Sequence, residues 1–308
     1  HLVEAANNRR PQRLPLYEHL INPPVMERVL GVSFAGELEG DTADLRHFFE
    51  CYCRFYREMT YDTVSFEAGI AEMLPGHGAI YGGRPGPIQN REDFLKYPWG
   101  GLAGMYWRKY DGWFRELGRA MPEGMRGVGG VGYGVFEISE DLVGFENLSY
   151  LQADDPDTFA SLYEAIGDLM VEIWTGFLER HGDLYAVCRF GDDLGYKSGL
   201  LSSPDMLRRH VIPQYKRIIE VIHAAGKPVL WHSCGCIFEV MEDVIAAGID
   251  AKHSNEDVIA PYDEWIRRYS GRIGLFGGID TDVLCREKPE EIKRRVVEDG
   301  RRFRRNAH

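Results

Sequence analysis

Residues 203–235 read SPDMLRRHVIPQYKRIIEVIHAAGKPVLWHSCG, and they join one helix to one strand. A Ser-Pro-Asp opening at Ser203 is typical of a helix start, and the helical pattern continues to Ala225 before Gly226 interrupts it. The apolar run Lys227–Gly235 then predicts a buried strand that ends in polar and sulfur-containing side chains. This helix–strand unit is the repeating element from which we predict the fold.

The same alternation of apolar runs and long helical patterns recurs along the whole chain. The predicted strands are Arg13–His19, Thr63–Gly69, Gly127–Glu137, Asp183–Asp193, Lys227–Gly235, Gly248–Asn255 and Arg272–Asp280. Asp41–Met59, which opens on a capping aspartate, and Asp154–Arg180, with Pro156 in its first turn, are predicted as intervening helices. Alternation of this kind indicates a parallel sheet that helices bury on both faces.

A closed (β/α)8 TIM barrel is the α/β architecture that fits this alternation best, and we expect residues 1–308 to form a single domain. A doubly wound open sheet is the alternative, but it should carry a glycine-rich phosphate loop after its first strand. The residues Arg13–Leu20 contain no such loop. Because one strand of eight is not accounted for, we expect the eighth strand to lie beyond His308 or outside the resolved residues.

Composition and charge exclude several classes of protein. The 308 residues carry 36 Lys and Arg against 48 Asp and Glu, a net charge of −12 that opposes binding to nucleic acid or to an anionic membrane surface. No apolar run approaches the roughly 18 residues that a membrane span requires. The six cysteines show no disulfide framework and the start of the chain shows no export signal, so we expect reduced thiols and a cytoplasmic protein.

Polar side chains stand at the ends of the predicted strands, where a TIM barrel carries its reactive groups. They are Glu18, His19, Glu67, Tyr133, Glu137, Asp192, Asp193, His232, Cys234, His253, Asn255 and Asp280. So many carboxylates in one barrel mouth would repel one another unless a cation, a proton or a cationic substrate group lay among them. Taken singly, each also has a purely structural interpretation: Asp193 or Asp280 could cap the helix that follows, and His253 could be a hydrogen-bonded histidine on the barrel rim.

His232 and Cys234 form the sharpest local pattern. Residues two apart on a strand point to the same side, so the imidazole and the thiol should project together. Nitrogen and sulfur donors suit Zn²⁺ better than Mg²⁺ or Ca²⁺. Zinc needs a further protein ligand, which could be Cys236 if the strand continues through Gly235, or a residue from elsewhere on the rim.

Several segments resemble the uroporphyrinogen decarboxylase superfamily. The matching segments are Asp192–Gly195, Gly199–Pro204, Pro213–Lys216, Val229–Gly235, Gly248–Asp250, Gly274–Thr281, Leu284 and Lys288–Glu291. The resemblance implies a (β/α)8 barrel, in agreement with the strand pattern. It also implies one of two activities, decarboxylation of a tetrapyrrole in haem synthesis or zinc-dependent methyl transfer to or from a corrinoid protein.

The decarboxylases of this superfamily carry an Arg-Gln-Ala-Gly-Arg loop near the N-terminus, and nothing between Arg13 and Glu67 reproduces it. A substrate with eight carboxylates needs arginine forks, whereas this mouth is lined with acidic residues. The methyltransferases bind zinc through a His-x-Cys pair, matched by His232 and Cys234, and through a distant cysteine in the last strand. That cysteine is expected beyond His308, and Cys285 is a doubtful substitute.

The resemblance and the strand ends together lead to a hypothesis of methyl transfer between a small substrate and a corrinoid protein, assisted by zinc. We interpret Glu67, Asp193 and Glu18 as catalytic carboxylates, and His232 and Cys234 as metal ligands. The further strand-end residues Tyr133, Asn255 and Asp280 are predicted to bind the cofactor. A tetrapyrrole decarboxylase with Glu67 or Asp193 as proton donor is the alternative, and a non-enzymatic corrinoid or tetrapyrrole carrier is a third.

A glycine- and proline-rich segment, Pro75–Trp99, follows the second predicted strand. Long loops of this kind often act as lids over a site, although a packed surface insertion is the alternative. We expect this segment to lie over the C-terminal face of the barrel near His232. Removal of residues 82–86 should then lower turnover with little change in the melting temperature.

Overall fold

Six parallel strands form the central sheet of the protein, for which the computed structural model describes residues 1–254 and 258–306. The strands of this sheet are β1 (Val64–Gly69), β2 (Gly127–Gly132), β3 (Tyr185–Gly191), β6 (Val229–His232), β7 (Ala251–His253) and β8 (Gly274–Leu275), in that spatial order. A separate antiparallel hairpin consists of β4 (Gly195–Tyr196) and β5 (Gly199–Leu200). Helices connect the parallel strands, so the chain has the α/β architecture of a TIM barrel.

The helices pack around this sheet. They are α1 (Leu2–Ala6), α2 (Pro23–Leu30), α3 (Thr42–Glu58), α4 (Arg91–Lys96), α5 (Leu102–Ala120), α6 (Val135–Val143), α7 (Phe145–Asp154), α8 (Pro156–His181), α9 (Pro204–Met206), α10 (Ile212–Ala224), α11 (Met241–Ala247), α12 (Tyr262–Tyr269), α13 (Thr281–Arg286) and α14 (Pro289–Asn306). Asp41 caps α3 in a reciprocal capping box with Asp44, as its position in the sequence predicts.

One predicted helix is interrupted. Residues 203–225 begin as α9, continue through a π-helical turn at Leu207–Val211, and end as α10. Pro213 has no backbone N–H and therefore cannot donate to the carbonyl four residues earlier, which accounts for the wider turn just before it. The Ser203 side chain accepts from the Met206 N–H at 3.2 Å and caps the start as expected.

The prediction of a strand over Arg13–His19 is wrong, although the segment lies where a first barrel strand would lie. Pro15 removes one backbone donor from any ladder. The segment is held instead by side chains, since Asp62 accepts from the Leu16 N–H at 2.8 Å and the Ser65 hydroxyl donates to the Glu18 carbonyl. The segment thus lies beside β1 without forming a regular strand.

On its other side, the same segment reaches the end of β8. The Tyr17 and Phe276 rings meet edge to face with centroids 5.3 Å apart. A cavity of about 320 Å³ separates residues 8–17 from β8 and α14. The two edges of the sheet are therefore connected by an irregular segment and side-chain contacts. The eighth strand expected beyond His308 stays a prediction, as does the single domain over residues 1–308.

The prediction that the third predicted strand extends from Gly127 to Glu137 is also wrong. β2 ends at Gly132, and Glu137 lies in the first turn of α6. The buried Asp192 carboxylate accepts from the Phe136 and Glu137 N–H groups at 2.8 Å each, so it caps α6 from outside that helix. A donor pair satisfied by a residue this far along the chain leaves no local sequence signal.

Apolar side chains from four strands fill the floor of the barrel. They are Val128, Val187, Leu230 and Ala251, and Leu2 and Ala6 of α1 pack onto them from below. All six side chains are buried. The interior of the barrel is therefore closed at the N-terminal ends of its strands, which leaves the C-terminal ends as the accessible face.

Within the described residues, no helix is both long and apolar enough to cross a membrane. This agrees with the absence of long apolar runs in the sequence. The cytoplasmic location inferred from the cysteines stays a prediction.

Candidate metal centre

Strand register brings two histidines and an arginine into the barrel mouth. His232 pairs with Gly191 on one side and with His253 on the other, and Arg189 lies two residues before Gly191 on β3. Alternate residues of a strand share a side, so Arg189, His232 and His253 continue the inward-facing rows that begin with Val187, Leu230 and Ala251. Apolar side chains therefore form the floor of the barrel interior, and Arg189, His232 and His253 form the layer above it.

The atoms of three potential metal ligands converge on one side of His232. Its Nε2 lies 3.4 Å from the Cys234 Sγ and 3.6 Å from an Asp193 Oδ1. These three ligand atoms all lie within 4.8 Å of one another. The Cys234 backbone N–H donates to the same Asp193 Oδ1 at 2.7 Å, which fixes the carboxylate against the turn. Asp193, predicted as a catalytic carboxylate, thus lies close enough to His232 and Cys234 to bind the same metal ion.

Gly235 makes this close arrangement possible. Its φ of +83° lies in the left-handed region, and a Cβ at this position would lie 2.1 Å from the carbonyl carbon of Gly195. Only glycine permits the turn after Cys234 to approach the β4–β5 hairpin so closely. Cys236 follows this turn and its N–H donates to the Tyr196 carbonyl at 2.8 Å, and its sulfur is not among the ligand atoms that converge near His232 within the described residues.

A second group, the imidazole cluster, consists of His19, His232 and His253. The His19 ring stacks on His232 at a centroid distance of 4.3 Å and on His253 at 5.4 Å. The His232 and His253 Nδ1 atoms lie 2.8 Å apart, which is hydrogen-bond distance. Burial lowers the pKa of all three imidazoles, and Arg189 lowers each further, so the cluster is neutral near pH 7.

Arg189 is a buried cation below this cluster, with 1% of its side chain exposed. Its guanidinium donates to Glu67 Oε2 from two nitrogens, at 3.0 and 2.5 Å, to the Tyr17 hydroxyl at 2.8 Å and to the His19 carbonyl at 3.0 Å. Glu67, predicted as catalytic, is therefore engaged by this arginine. Arg189 was not among the predicted site residues, although it is a lone charge within the apolar run Tyr185–Gly191.

The carboxyl cluster consists of Glu137, Glu140, Asp192 and Asp193, and it adjoins the imidazole cluster, since Asp193 Oδ1 lies 3.6 Å from His232 Nε2. Burial, followed by repulsion from Asp192 and Asp193, raises the pKa of Glu137 and raises that of Glu140 to about 8. Burial also raises the pKa of Asp192, while the Tyr215 hydroxyl and the two N–H donors of α6 oppose that shift. Neutral carboxylic acids, which can donate a proton or a hydrogen bond, therefore line this side near pH 7.

The remaining predicted residues fall outside this centre. The Glu18 side chain is exposed, and Tyr133 pairs with the Tyr81 hydroxyl at 3.3 Å. Asp280 accepts from the Asp282 N–H at 2.8 Å and caps α13, the alternative interpretation that the sequence left open. Asn255 lies outside the described residues, and Cys285 is exposed on α13.

The Pro75–Trp99 segment packs against α6, beyond the end of β2. The Asp141 carboxylate accepts from the Gly78 N–H at 2.6 Å, and the Ile88 N–H donates to the Leu142 carbonyl at 3.0 Å. Gly86 is buried, and a Cβ there would lie 2.2 Å from the Leu142 oxygen. Removal of residues 82–86 would therefore disturb packing against α6, so that deletion does not separate gating from stability.

The donor set on the Nε2 side of His232 fits zinc. Carboxylate, imidazole and thiolate are all zinc ligands, and three protein ligands with one open position are typical of catalytic zinc sites. His19, His232 and His253 also bring ligand atoms within 4.8 Å of one another. That group, however, lies close to the positive charges of Arg189 and of the buried Lys252, both of which disfavour a dication. The charges therefore favour the side with Asp193 and Cys234.

The fold and this donor set define an α/β barrel with a metal-type centre at the carboxyl ends of its strands. Residues 116–304 match the family model described as uroporphyrinogen decarboxylase (URO-D). The chain belongs to this family of enzymes.

A solved methyltransferase from Methanosarcina mazei resembles this structure with a TM-score of 0.60 and 12% sequence identity. The match covers 98% of this chain and 97% of that protein, and it confirms the predicted fold class. No curated protein matches the chain.

Proposed function

We propose that this protein transfers a methyl group between a small substrate and a corrinoid carried by a partner protein, with zinc held by Asp193, His232 and Cys234. The convergence of these three donor atoms within 4.8 Å is the observation that carries the proposal. Zinc at this position would act as a Lewis acid on the methyl donor or keep an incoming thiol as a thiolate. The methyltransferase fold of the Methanosarcina mazei protein supports the same reaction class.

The surrounding side chains have distinct tasks in this proposal. Asp193 and Cys234 supply negative charge to the cation, and the neutral His232 supplies a nitrogen lone pair. Glu140, neutral near pH 7 because burial raises its pKa, can donate a hydrogen bond to a polar substrate group. Glu140 also lines a cleft of about 820 Å³ between the Pro75–Trp99 segment and α7, which is large enough to admit a small molecule.

Tetrapyrrole decarboxylation is the weaker alternative. Its substrate presents many carboxylates and requires free guanidinium groups. Arg189, which lies in this mouth, already donates to Glu67, Tyr17 and His19. Incubation with uroporphyrinogen and analysis for coproporphyrinogen tests this alternative, and we expect no product.

Zinc analysis of protein prepared without a histidine tag tests the proposal directly. We expect about one zinc per chain in the wild type and loss of most of it in Cys234→Ser, because the variant lacks the thiolate ligand. Cys285→Ser is the matched control, since Cys285 is exposed on α13 and should be dispensable for binding. Cys234→Ser protein with a full zinc content would contradict the assignment of this ligand.

Methyl transfer itself is followed by the change in the cobalt absorption spectrum when a methyl donor and chemically reduced cob(I)alamin are supplied, because the Co(I) electron pair forms the new bond to the methyl group. The wild type should methylate the corrinoid, and zinc-depleted protein should not until zinc is restored. Full activity in zinc-depleted protein would overturn the role of the metal.

A further inference from the structure

The contact between His232 and His253 constrains where the proton of each ring lies. The two residues are register partners on the parallel strands β6 and β7, and their Nδ1 atoms lie 2.8 Å apart. A neutral imidazole carries one N–H and one lone pair, so one of these Nδ1 atoms must donate and the other must accept. Two arrangements satisfy this contact, and they differ in what the Nε2 atom of His232 can do.

In the first arrangement His253 donates, His232 accepts at Nδ1, and the proton of His232 occupies Nε2. That proton would block the nitrogen that faces Cys234 and Asp193. In the second arrangement His232 donates from Nδ1, and its Nε2 lone pair points to the Cys234 Sγ at 3.4 Å. A metal bound on that side requires the second arrangement, because a ligating nitrogen must be free of its proton.

Two further contacts favour the second arrangement before any metal is bound. At 3.4 Å the Cys234 thiol can donate to the Nε2 lone pair of His232, whereas in the first arrangement the Nε2–H would meet the thiol sulfur, which is only a weak acceptor. Asp193 Oδ1, 3.6 Å from that Nε2, already accepts from the Cys234 N–H at 2.7 Å and lies too far from the imidazole for a direct hydrogen bond. The second arrangement therefore satisfies all three groups.

The His253 ring is held in place by its neighbours. The Tyr17 ring meets it edge-on at 5.5 Å and 82°, and His19 stacks on it nearly parallel, at 12°. Its backbone carbonyl accepts from the Ser233 N–H at 2.9 Å, which ties β7 to the turn that carries Cys234. A ring confined on two faces presents its Nδ1 to His232 in one orientation.

The distance between the Nδ1 atoms of His232 and His253 also differs from the distance expected for two nitrogens bound to one zinc ion. Two nitrogens bound to one tetrahedral zinc at about 2.0–2.1 Å lie about 3.3 Å apart. The separation here is shorter, 2.8 Å, and matches a hydrogen bond. His253 therefore belongs behind the centre and not among its ligands.

We propose that His253 is a positioning residue that accepts a hydrogen bond from His232 Nδ1 and so keeps the Nε2 lone pair of His232 directed at Cys234 and Asp193. This inference rests on the proposed zinc centre. Hydrogen bonds behind a ligating histidine orient the ring and strengthen its lone pair, and their loss typically weakens metal binding by roughly 10- to 100-fold.

Nitrogen-15 NMR of histidine-labelled, metal-free protein at pH 8 reads the tautomer directly. We expect the Nδ1–H form at His232 and the Nε2–H form at His253. The Nε2–H form at His232 would overturn the role of His253, whether or not zinc binds. A wild type that binds no zinc while His232 shows the Nδ1–H form would instead overturn the proposed function and leave the positioning role intact.

Zinc affinity, measured by competition with a chelator, gives the second readout. His253→Phe keeps a flat ring but cannot accept, so we expect its affinity to fall by roughly 10- to 100-fold. His253→Gln offers a carbonyl acceptor and should recover part of that loss. His19→Phe is the matched control, because His19 stacks on the same rings, and its affinity should change less than about threefold. Equal losses in His253→Phe and His19→Phe, or no loss in either, would overturn the proposal.

Discussion

The imidazole cluster and the carboxyl cluster lie side by side at the same barrel mouth, with His232 and Asp193 3.6 Å apart, and burial acts on them in opposite directions. On the imidazole side the pKa of each ring is lowered by burial and by Arg189. On the carboxyl side the pKa of Glu137 and Glu140 is raised by burial and by neighbouring carboxylates. The three imidazoles, Glu137 and Glu140 are therefore neutral near pH 7, and the charges that remain near them belong to Arg189, Lys252 and the acids that stay ionised.

The two clusters make opposite contributions to stability as the pH changes. Below about pH 6.5 the unfolded chain protonates histidines that the folded chain keeps neutral, so the imidazole side loses stability as the pH falls. Between about pH 4.5 and 8 the folded chain holds protons on acids that are ionised when unfolded, so the carboxyl side loses stability as the pH rises. Where the windows overlap, between about pH 4.5 and 6.5, the two effects offset each other.

Of the three substitutions considered, Arg189→Met should have the largest effect on the free energy of unfolding. It leaves the Glu67 carboxylate without its partner and removes the donors to Tyr17 and the His19 carbonyl. We expect a loss of about 3–5 kcal/mol in the free energy of unfolding at pH 7, measured with urea. The double variant Glu67→Gln/Arg189→Met should recover much of this loss, because it no longer buries an unpaired charge. A loss below about 1 kcal/mol in Arg189→Met would show that the guanidinium is not structural.

Glu140→Gln tests how the carboxyl cluster changes the stability of the protein with pH. The folded pKa of Glu140, about 8, lies above its unfolded value, so the wild type loses stability between about pH 4.5 and 8. Glutamine does not titrate, and the variant should therefore gain on the wild type with rising pH, by up to about 4 kcal/mol at pH 8. Urea titrations at pH 5 and pH 8 measure the difference. Glu123→Gln, on the surface, is the control, and parallel curves for both variants would refute the assignment to Glu140.

His19→Phe tests the imidazole side and should have the smallest effect. The phenyl ring preserves the stacking, and the buried Nδ1 of His19 has no hydrogen-bond partner among the described residues. Stability of the metal-free protein should change little at pH 7.5. At pH 5.5 the variant should be more stable than the wild type by about 1.4 kcal/mol, because one fewer proton is taken up on unfolding. His47→Gln, on an exposed histidine, should not reproduce this gain.

The sequence predicted the barrel and one part of its centre for the same reason, namely local periodicity. The i, i+2 spacing of His232 and Cys234 holds on any strand, and strand ends of a parallel barrel share one face, which brought Asp193, His19 and His253 into the same set of candidates. The geometry of Asp193 at ligand distance from His232 was not predicted, because it depends on the turn at Gly235.

Long-range pairing accounts for what the sequence did not reveal. Arg189 and Glu67 are 122 positions apart and meet only through the order and register of β1, β2 and β3. The start of α6 depends likewise on Asp192, 56 positions from Phe136, so the extension of β2 to Glu137 was a reasonable but wrong prediction. Asp280, in contrast, caps α13 through a hydrogen bond to a residue two positions away, an interaction that the local sequence does predict.

The packing of α1 onto the barrel floor places it late in the order of folding. Leu2 and Ala6 pack with Ala251 and Phe276, residues that follow them by nearly the length of the described chain. A helix of five residues has almost no stability of its own. Contacts of such sequence separation close late, because the entropy of the long intervening loop must first be offset by other interactions. We therefore expect α1 to be among the last elements to pack. The strands must first assemble, because they form the apolar surface on which α1 lies.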